Sequence, residues 1–271
     1  MPELPEVETT RRGLEPLLLG RTVEKVMVHQ RALRWPVPQG LGRTLVGQTV
    51  HAIERRSKYL LLRCDHGTLI VHLGMTGHLR VVPAGEARKK HDHVELLLDD
   101  GDALRFNDSR RFGTILWTSE DPLTHPLLKD LGPEPFTAAF DADYLATRAR
   151  GRVVAVKPFL MDAHTVVGVG NIYASEALFR AGIDPRRAAG KVSRAAFRRL
   201  AAAVRDVLAE AIEAGGTTIR DFANSDGEPG YFRISLRVYG RTGAPCTACG
   251  APIKLIRLGQ RSTYFCARCQ K

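Results

Sequence analysis

KYLLLRCDHGTLIVHL, residues 58–73, decides the fold of the first half of the chain. Two short apolar runs lie on either side of a polar Asp-His-Gly break, a spacing that is typical of antiparallel strands joined by a tight turn. Similar runs, separated by Gly, Asp and Pro, occur at residues 22–28, 93–100 and 103–106. The sequence therefore predicts many short antiparallel strands over residues 22–118, arranged as a sandwich or a barrel.

A helix is predicted on the N-terminal side of these strands, from Pro5 to Leu19. Proline stands at its start, Glu6 and Glu8 place negative charge in its first turn, and Gly20 follows its end. We therefore expect the N-terminus to lead directly into a helix. From the residue type alone, Pro2 is interpreted as a helix-entry proline.

The strand pattern ends in a segment rich in Pro, Asp and Thr, and helical patterns follow at residues 171–182 and 193–216. The polar, Gly-rich residues 216–233 are interpreted either as a loop that contacts a substrate or as a disordered segment. The predicted organisation is a β domain over 1–132, a linker over 133–150, a helical domain over 151–236 and a cysteine hairpin over 237–271.

The composition of the chain limits the classes of partner that it is expected to bind. The chain has 271 residues, with 40 Lys plus Arg against 29 Asp plus Glu and a formal charge of +11. Such an excess favours a nucleic acid or an anionic membrane surface. No apolar run is long enough to span a membrane, and the first twenty residues carry acidic groups where a signal peptide is basic. We therefore expect a cytoplasmic protein.

A zinc site is predicted near the C-terminus from the pairs Cys246-x2-Cys249 and Cys266-x2-Cys269. Two such pairs supply four thiolates to one tetrahedral zinc ion and leave no open position, so the metal is expected to be structural. The fifth cysteine, Cys64, is interpreted as a small buried apolar residue.

The region around these cysteines is strongly basic. Residues 237–271 contain seven Lys or Arg and no Asp or Glu, so the module stays cationic even with a tetrathiolate zinc centre. Two strands are predicted around residues 258–261, which places Arg261 at a hairpin tip. On its own this pattern indicates either a nucleic-acid-binding hairpin or a structural clip.

Eight segments distributed over essentially the whole chain strongly resemble the bacterial formamidopyrimidine-DNA glycosylase family. They are PELPEVETTRRGLEP (2–16), RRSKYLL (55–61), HLGMTGHLR (72–80), KHDHV (90–94), DSRRFG (108–113), VVGVGNIYASEALF (166–179), GGTTIRDF (215–222) and the cysteine hairpin. The resemblance implies an α+β fold, with an N-terminal antiparallel β-sandwich flanked by helices, a helical C-terminal domain with a helix–two-turn–helix motif, and a four-cysteine zinc hairpin.

The resemblance also implies catalytic residues. Pro2, exposed by removal of the initiator Met, would be the nucleophile, and Glu3 would be the acid-base group, with Glu6 as a weaker candidate partner. Lys58 and Arg261 would hold phosphate and assist elimination. From residue type alone, Lys58 would be an ordinary surface lysine.

DNA contacts are implied in the same way. Met75, Arg110 and Phe112 match the family's side chains that fill the space left by a flipped nucleotide, although residue type alone makes Met75 and Phe112 core residues. The remaining implied contacts to the DNA backbone are Asn171, His91, Arg152 and Lys157.

The function implied is a bifunctional DNA glycosylase and abasic-site lyase that excises oxidised purines through a Schiff base at Pro2 and then carries out β,δ-elimination. Its partner would be damaged double-stranded DNA, its only cofactor one structural zinc ion, and its state a monomer. Two alternatives stay open: a sister enzyme for oxidised pyrimidines, and an inert zinc-hairpin protein that binds damaged DNA.

Overall fold

The computed structural model describes residues 2–215 and 236–271 and divides into two compact units. Within these ranges, residues 2–129 and 214–215 belong to the first unit, and residues 130–213 and 236–271 to the second. Residues 216–233, which were interpreted either as a substrate-contacting loop or as a disordered segment, lie outside the described residues.

The first unit begins with a helix that matches the prediction closely. Helix α1 spans Leu4–Leu18, and Gly20 follows in the left-handed region with a φ of 76°. One face of the helix is buried, through residues such as Val7 and Leu14. This face packs against the strands that follow, so the helix and the N-terminus before it have a fixed position on the unit.

Eight antiparallel strands form two four-stranded sheets, with orders β1-β6-β7-β5 and β2-β3-β4-β8. The elements are β1 (Val23–Val28), α2 (Leu41–Leu45), β2 (Val50–Arg56), β3 (Tyr59–Cys64), β4 (Gly67–His72), β5 (His78–Pro83), β6 (Asp92–Leu98), β7 (Asp102–Asn107) and β8 (Thr114–Thr118). The two apolar runs of residues 58–73 become β3 and β4, which pair in register from Tyr59 opposite His72 to Cys64 opposite Gly67.

The two sheets share one apolar core, to which β4 contributes Val71, β7 contributes Phe106 and α1 contributes Leu14. Among the described strands, none of one sheet pairs with a strand of the other. The first unit is therefore a sandwich and not a barrel, and the α+β fold class is confirmed.

The second unit is helical and ends in a two-stranded hairpin. Its elements are α3 (Ala142–Ala149), α4 (Val156–Met161), α5 (Asn171–Ala181), α6 (Arg194–Glu213), β9 (Lys254–Leu258) and β10 (Arg261–Phe265). Helices α4 and α5, with turns between them at residues 162–170, have the order expected of a helix–two-turn–helix motif. None of the helices in the described ranges is long and apolar enough to cross a membrane.

One expectation about this unit differs from the structure. The segment interpreted as a linker, 133–150, contains α3, whose Leu145 and Ala149 are buried and which packs against α6. The helix was not predicted because proline and aspartate before it were interpreted as loop residues. Asp141 is instead its N-cap and accepts a hydrogen bond from the Tyr144 amide.

Candidate functional site

The N-terminus is held by a capping box at the start of α1. Glu3 is the N-cap residue, and its backbone amide donates to Oε2 of Glu6 over 2.7 Å. Pro2, Glu3 and Glu6 are all buried, with Glu3 only 2% exposed. This arrangement fixes the backbone that carries the Pro2 nitrogen and places two carboxyl groups within four residues of it.

Lys58 lies in the two-residue turn between β2 and β3, next to Ser57, which adopts a left-handed φ of 59°. A chain of contacts connects this turn to α1. Arg55 donates through Nε to Oε2 of Glu8 over 3.1 Å, and through Nη1 to the carbonyl of Ser57 over 2.9 Å. The helix that begins after the N-terminus thus supports the turn that carries Lys58.

The charge of Glu8 is maintained in this partly buried position. Burial alone would raise the pKa of Glu8, but its contacts with Arg11, Arg12 and Arg55 hold that pKa below the usual value. Glu8 therefore stays ionised at neutral pH and keeps Arg55 in place.

His72, which sequence reasoning did not select, lies close to Lys58. Burial, followed by the positive charges of Lys58 and Arg34, lowers the pKa of His72 from 6.5 to about 4. Its Nδ1 accepts a hydrogen bond from the Gly74 amide at 3.0 Å, so the neutral ring carries its proton on Nε2. His72 is thus a neutral donor in a basic environment. The signal in the sequence was only its position at the start of a motif, HLGMTGHLR.

The three side chains expected to fill a DNA void lie on two neighbouring loops. Met75 is partly exposed in the loop between β4 and β5, and Arg110 and Phe112 are exposed in the loop between β7 and β8. The Arg110 guanidinium stacks over the Phe112 ring at 4.7 Å. The core role that residue type alone suggested for Phe112 is not observed, since 40% of it is exposed.

His91 adjoins the second of these loops. It is in the left-handed region with a φ of 73°, and its carbonyl accepts from the Asp108 amide at 3.1 Å. His93, which had no expected role, is buried, and its Nε2 lies 2.7 Å from the Asp108 carbonyl oxygen. The ring must donate there, because a carbonyl only accepts.

In the second unit, Lys157 is buried and hydrogen-bonded within the protein. It was expected to contact the DNA backbone, but it is only 1% exposed. Its ammonium donates to Asn171 Oδ1 at 2.7 Å, to the Ser262 carbonyl at 2.9 Å and to Thr263 Oγ1 at 2.9 Å. Lys157 therefore connects the start of α5 to strand β10 within the protein.

This contact orients the side chain of Asn171. An ammonium only donates, so the amide oxygen of Asn171 must face Lys157 and the amide NH2 group must point elsewhere. Asn171 is the first residue of α5, after the N-cap Gly170, and Gly168 nearby has a left-handed φ of 79°. The result is an amide donor at a helix N-terminus, an arrangement suited to binding an anion.

Arg261 lies at the hairpin tip, as the sequence indicates. It is the first residue of β10, is exposed, and pairs with Leu258 across the turn. Gly259 and Gln260 form that turn with φ values of 52° and 61°, which is the type I′ geometry of tight hairpins. Arg152, another expected DNA contact, is exposed on the surface after α3.

The four cysteines of the hairpin module fit a zinc ion. The ligand sulfurs of Cys246, Cys249, Cys266 and Cys269 all lie within 4.8 Å of one another. Two of the separations are 3.9 Å (Cys246 to Cys269) and 3.5 Å (Cys249 to Cys266). Tetrahedral zinc with ligands at 2.3 Å requires sulfurs roughly 3.8 Å apart, so the cage has the size of a closed, structural zinc site.

The module is joined to α5 by a contact that sequence reasoning missed. The buried carboxylate of Glu176 accepts from the backbone amides of Arg237, Val238 and Tyr239 at 2.8–3.0 Å. Phe179 of the same helix completes the small apolar cluster around Cys246 and Cys266. The chain therefore enters the zinc module at a position that α5 determines.

A β-sandwich whose first helix begins with two buried carboxyl groups, a helical unit and a basic four-cysteine hairpin together define the class of a zinc-hairpin DNA-repair enzyme. Comparison with known protein families gives the same class. Family models match at residues 1–115 (formamidopyrimidine-DNA glycosylase N-terminal domain), 131–223 (formamidopyrimidine-DNA glycosylase H2TH domain) and 243–271 (zinc finger found in FPG and IleRS).

Relatives and solved structures match over the full length. A formamidopyrimidine-DNA glycosylase of Stutzerimonas stutzeri is 59% identical, with all of both chains covered. The MutM (Fpg) crystal structure from Thermus thermophilus has a TM-score of 0.89 at 40% identity, covering 99% of this chain and 98% of that one. A Lactococcus lactis Fpg variant in complex with Fapy-dG-containing DNA has a TM-score of 0.92 at 35% identity, with both chains covered completely. The chain belongs to the formamidopyrimidine-DNA glycosylase family.

Proposed function

We propose that this base-excision-repair enzyme removes oxidised purines, namely 8-oxoguanine and ring-opened formamidopyrimidines, from duplex DNA and then cleaves the strand at the abasic site. The observation that carries the proposal is the start of α1, where Pro2 is followed by a buried carboxyl group and fixed by the capping box. The Fapy-dG in the Lactococcus lactis complex supports the purine class of lesion.

The nucleophile is the secondary amine of Pro2, once the preceding Met1 is removed. An α-amine titrates near 8, about two units below a lysine, so at neutral pH roughly a tenth of it is uncharged and reactive. Its nitrogen attacks C1′ of the damaged nucleotide, and the bond to the base breaks. Because the amine is secondary, the product of ring opening is an iminium ion, which withdraws electrons from C2′.

Glu3 is the acid-base group of this step. It adjoins Pro2 and is buried beside Glu6, where a carboxyl group can donate a proton to the opening sugar or leaving base and later accept one. Loss of a proton from C2′ then breaks the 3′ C–O bond, and a second elimination breaks the 5′ C–O bond. These are the β and δ steps.

Cations assist the eliminations by holding the phosphates that leave. Lys58 is suited to this task in the first unit, with the neutral His72 beside it. Arg261 offers an exposed planar guanidinium in the second unit, and Asn171 an oriented amide donor. Lys157 acts indirectly, by holding Asn171 and β10, while His91 and Arg152 add contacts to the DNA backbone.

Met75, Arg110 and Phe112 fill the space that the flipped nucleotide leaves. Flipping costs a few kcal/mol of stacking and pairing, and inserted side chains offset part of that cost. The stacked pair Arg110 and Phe112 can wedge between bases and hydrogen-bond the orphaned partner base. Since its substrate is chromosomal DNA, we place the protein in the bacterial cytoplasm, associated with the nucleoid when bound.

The substrate class is tested by comparing base release from three duplexes, which contain 8-oxoguanine opposite cytosine, thymine glycol opposite adenine, or no lesion. We expect the 8-oxoguanine duplex to be processed fastest and the undamaged duplex to remain intact. Faster release of thymine glycol would assign the sister specificity for oxidised pyrimidines. Tight binding without any base release would assign the inert damage-binding protein.

A further inference from the structure

A buried carboxylate joins the loops that carry the void-filling side chains. Asp108 is completely buried, and each of its oxygens has partners. Oδ1 accepts from the Thr76 hydroxyl at 2.6 Å and from the Arg110 amide at 3.3 Å, while Oδ2 accepts from the Gly113 amide at 2.7 Å. The side chain therefore spans both loops at once.

The main chain of Asp108 extends the same network to a third segment. Its amide donates to the His91 carbonyl, and its carbonyl accepts from His93 Nε2, at 3.1 and 2.7 Å. The segments that carry Met75, His91 and Arg110 are thus all bonded to one residue. Strands β4, β6 and β7, from which these segments emerge, belong to the sandwich core.

Glycine at position 74 allows the two loops to approach closely. A Cβ atom added to Gly74 would lie 2.4 Å from the Phe112 carbonyl carbon, and Gly74 also has a left-handed φ of 65°. The loops are in backbone contact at this point. Thr76, two residues on, adds the polar connection through Asp108, and its hydroxyl oxygen also accepts from the Arg110 amide at 3.2 Å.

We propose that Asp108 and Thr76 are positioning residues that hold the Met75 loop and the Arg110–Phe112 loop together as one preformed insertion unit. The inference rests on the proposed function, because it concerns the step in which a flipped nucleotide leaves a hole. Side chains that are already in place lose less conformational entropy on insertion than side chains on two independent loops.

Chemistry and insertion are separable by choice of substrate. A duplex with 8-oxoguanine opposite cytosine requires the hole to be filled, whereas a single-stranded oligonucleotide with an abasic site has no stacked partner strand and tests the amine alone. A 2-aminopurine base next to the lesion in the same duplex gives a fluorescence signal that reports insertion directly.

The informative variants are Thr76→Val and Asp108→Asn. Valine keeps the shape of threonine without the hydroxyl. Asparagine replaces one carboxylate oxygen by an NH2 group, which then faces either the donors of Thr76 and Arg110 or the Gly113 amide. We expect base release from the duplex, and the 2-aminopurine signal, to fall by about tenfold or more, the effect of losing a charge-assisted hydrogen bond. Cleavage of the single-stranded abasic oligonucleotide should stay close to that of the parent protein.

Two controls complete the experiment. Thr76→Ser retains the hydroxyl and should restore duplex activity, and Asp99→Asn makes the same chemical change at an exposed position on the same unit. If Asp108→Asn lowers the melting temperature, the inference is tested by Thr76→Val alone. Thr76 is only partly buried, so this substitution should disturb the fold less.

Two results for Thr76→Val would overturn the inference. One is base release from the duplex at the rate of the parent protein, and the other is an equal loss of activity on the duplex and on the single-stranded abasic oligonucleotide. Failure of the parent protein itself on both substrates would instead contradict the proposed function.

Discussion

The proposed functional groups in the two parts of the molecule are held in place by different forces. In the first unit, the N-terminus, the Lys58 turn and the insertion loops emerge from a sandwich with a large apolar core. In the second unit, Arg261 lies on a hairpin whose small buried cluster consists of Cys246, Cys266, Val238, Ile253 and Phe179. The groups proposed to react thus depend on hydrophobic packing, and the hairpin proposed to bind phosphate depends on a metal and a few buried polar contacts.

The size of the core determines how the functional groups of each unit are held. A large core holds backbone segments rigidly, which suits the amine and the acid that are proposed to act on one carbon atom. A small zinc module has no sufficient core of its own, so its orientation is set by Lys157 and Glu176, each of which connects it to α5 or α4. The two parts should therefore respond differently to the same perturbation.

Removal of zinc should produce the largest effect. Chelation should collapse the hairpin and lower the affinity for lesion-containing duplex by about 100-fold or more, since several phosphate contacts are lost together. Thermal unfolding of the sandwich should remain cooperative. Fluorescence anisotropy on protein whose zinc content is verified by elemental analysis measures the first effect, and calorimetry the second.

Cys64→Ser is the matched control, because Cys64 lies outside the four-cysteine cage and should leave zinc content and affinity unchanged. Burial raises the pKa of the Cys64 thiol to about 11, which also makes it a poor metal ligand at neutral pH. Normal DNA binding by a verified zinc-free protein would show that the two parts do not differ in the way described.

Replacing Lys157 by Met should have the next largest effect. The substitution leaves Asn171, Ser262 and Thr263 without their common donor, so we expect duplex affinity to fall by between tenfold and about 100-fold. Lys191→Met removes the same formal charge from an exposed site and should change affinity far less. If the two variants bind DNA equally well, the buried ammonium does not organise the phosphate-binding groups.

The stability of the first unit should depend on pH through His72. Its pKa is about 4 in the folded protein and about 6.5 when unfolded, so between these values only the unfolded chain binds the proton. The free energy of unfolding should therefore decrease as pH falls from 6.5 to 4, by at most about 3 kcal/mol.

Urea titrations at several pH values measure this slope. In His72→Asn, which keeps an acceptor near the Gly74 amide, the slope should be smaller than in the parent protein. An unchanged slope would assign the acid sensitivity to other groups.

Arg261→Ala should have the smallest effect of the four. It is exposed at the hairpin tip, so its loss should leave zinc content and folding intact while lowering strand cleavage by about tenfold, the worth of one charge-assisted contact. Arg257→Ala, also exposed on the hairpin, is the control. Equal cleavage by Arg261→Ala and the parent protein would remove this arginine from the site.

Much of this architecture could be predicted because it follows from local sequence patterns. Alternating apolar runs predicted the strands, Pro5 and Gly20 marked the ends of α1, and the cysteine spacing predicted the zinc cage. These signals depend only on neighbouring residues. The family resemblance then supplied roles for Pro2 and Glu3 that residue type alone would not suggest.

What could not be predicted depends on contacts between distant segments. Lys157 was expected to contact the DNA backbone on the family resemblance alone, and its acceptors within the protein, Ser262 and Thr263, lie more than 100 residues away along the chain. Asp108 was only part of a motif until its partner Thr76 was placed beside it. Buried polar networks of this kind follow from the tertiary fold, and no sequence periodicity marks them.

The role proposed for the amine of Pro2 is that of the nucleophile. It is tested most directly by borohydride trapping on a duplex with one 8-oxoguanine opposite cytosine, with Pro2→Gly and an undamaged duplex as controls. We expect a lesion-dependent covalent adduct that peptide mapping assigns to residue 2, in protein whose intact mass shows that Met1 has been removed. An adduct at a lysine, or tight binding of the lesion with no adduct, would contradict the account.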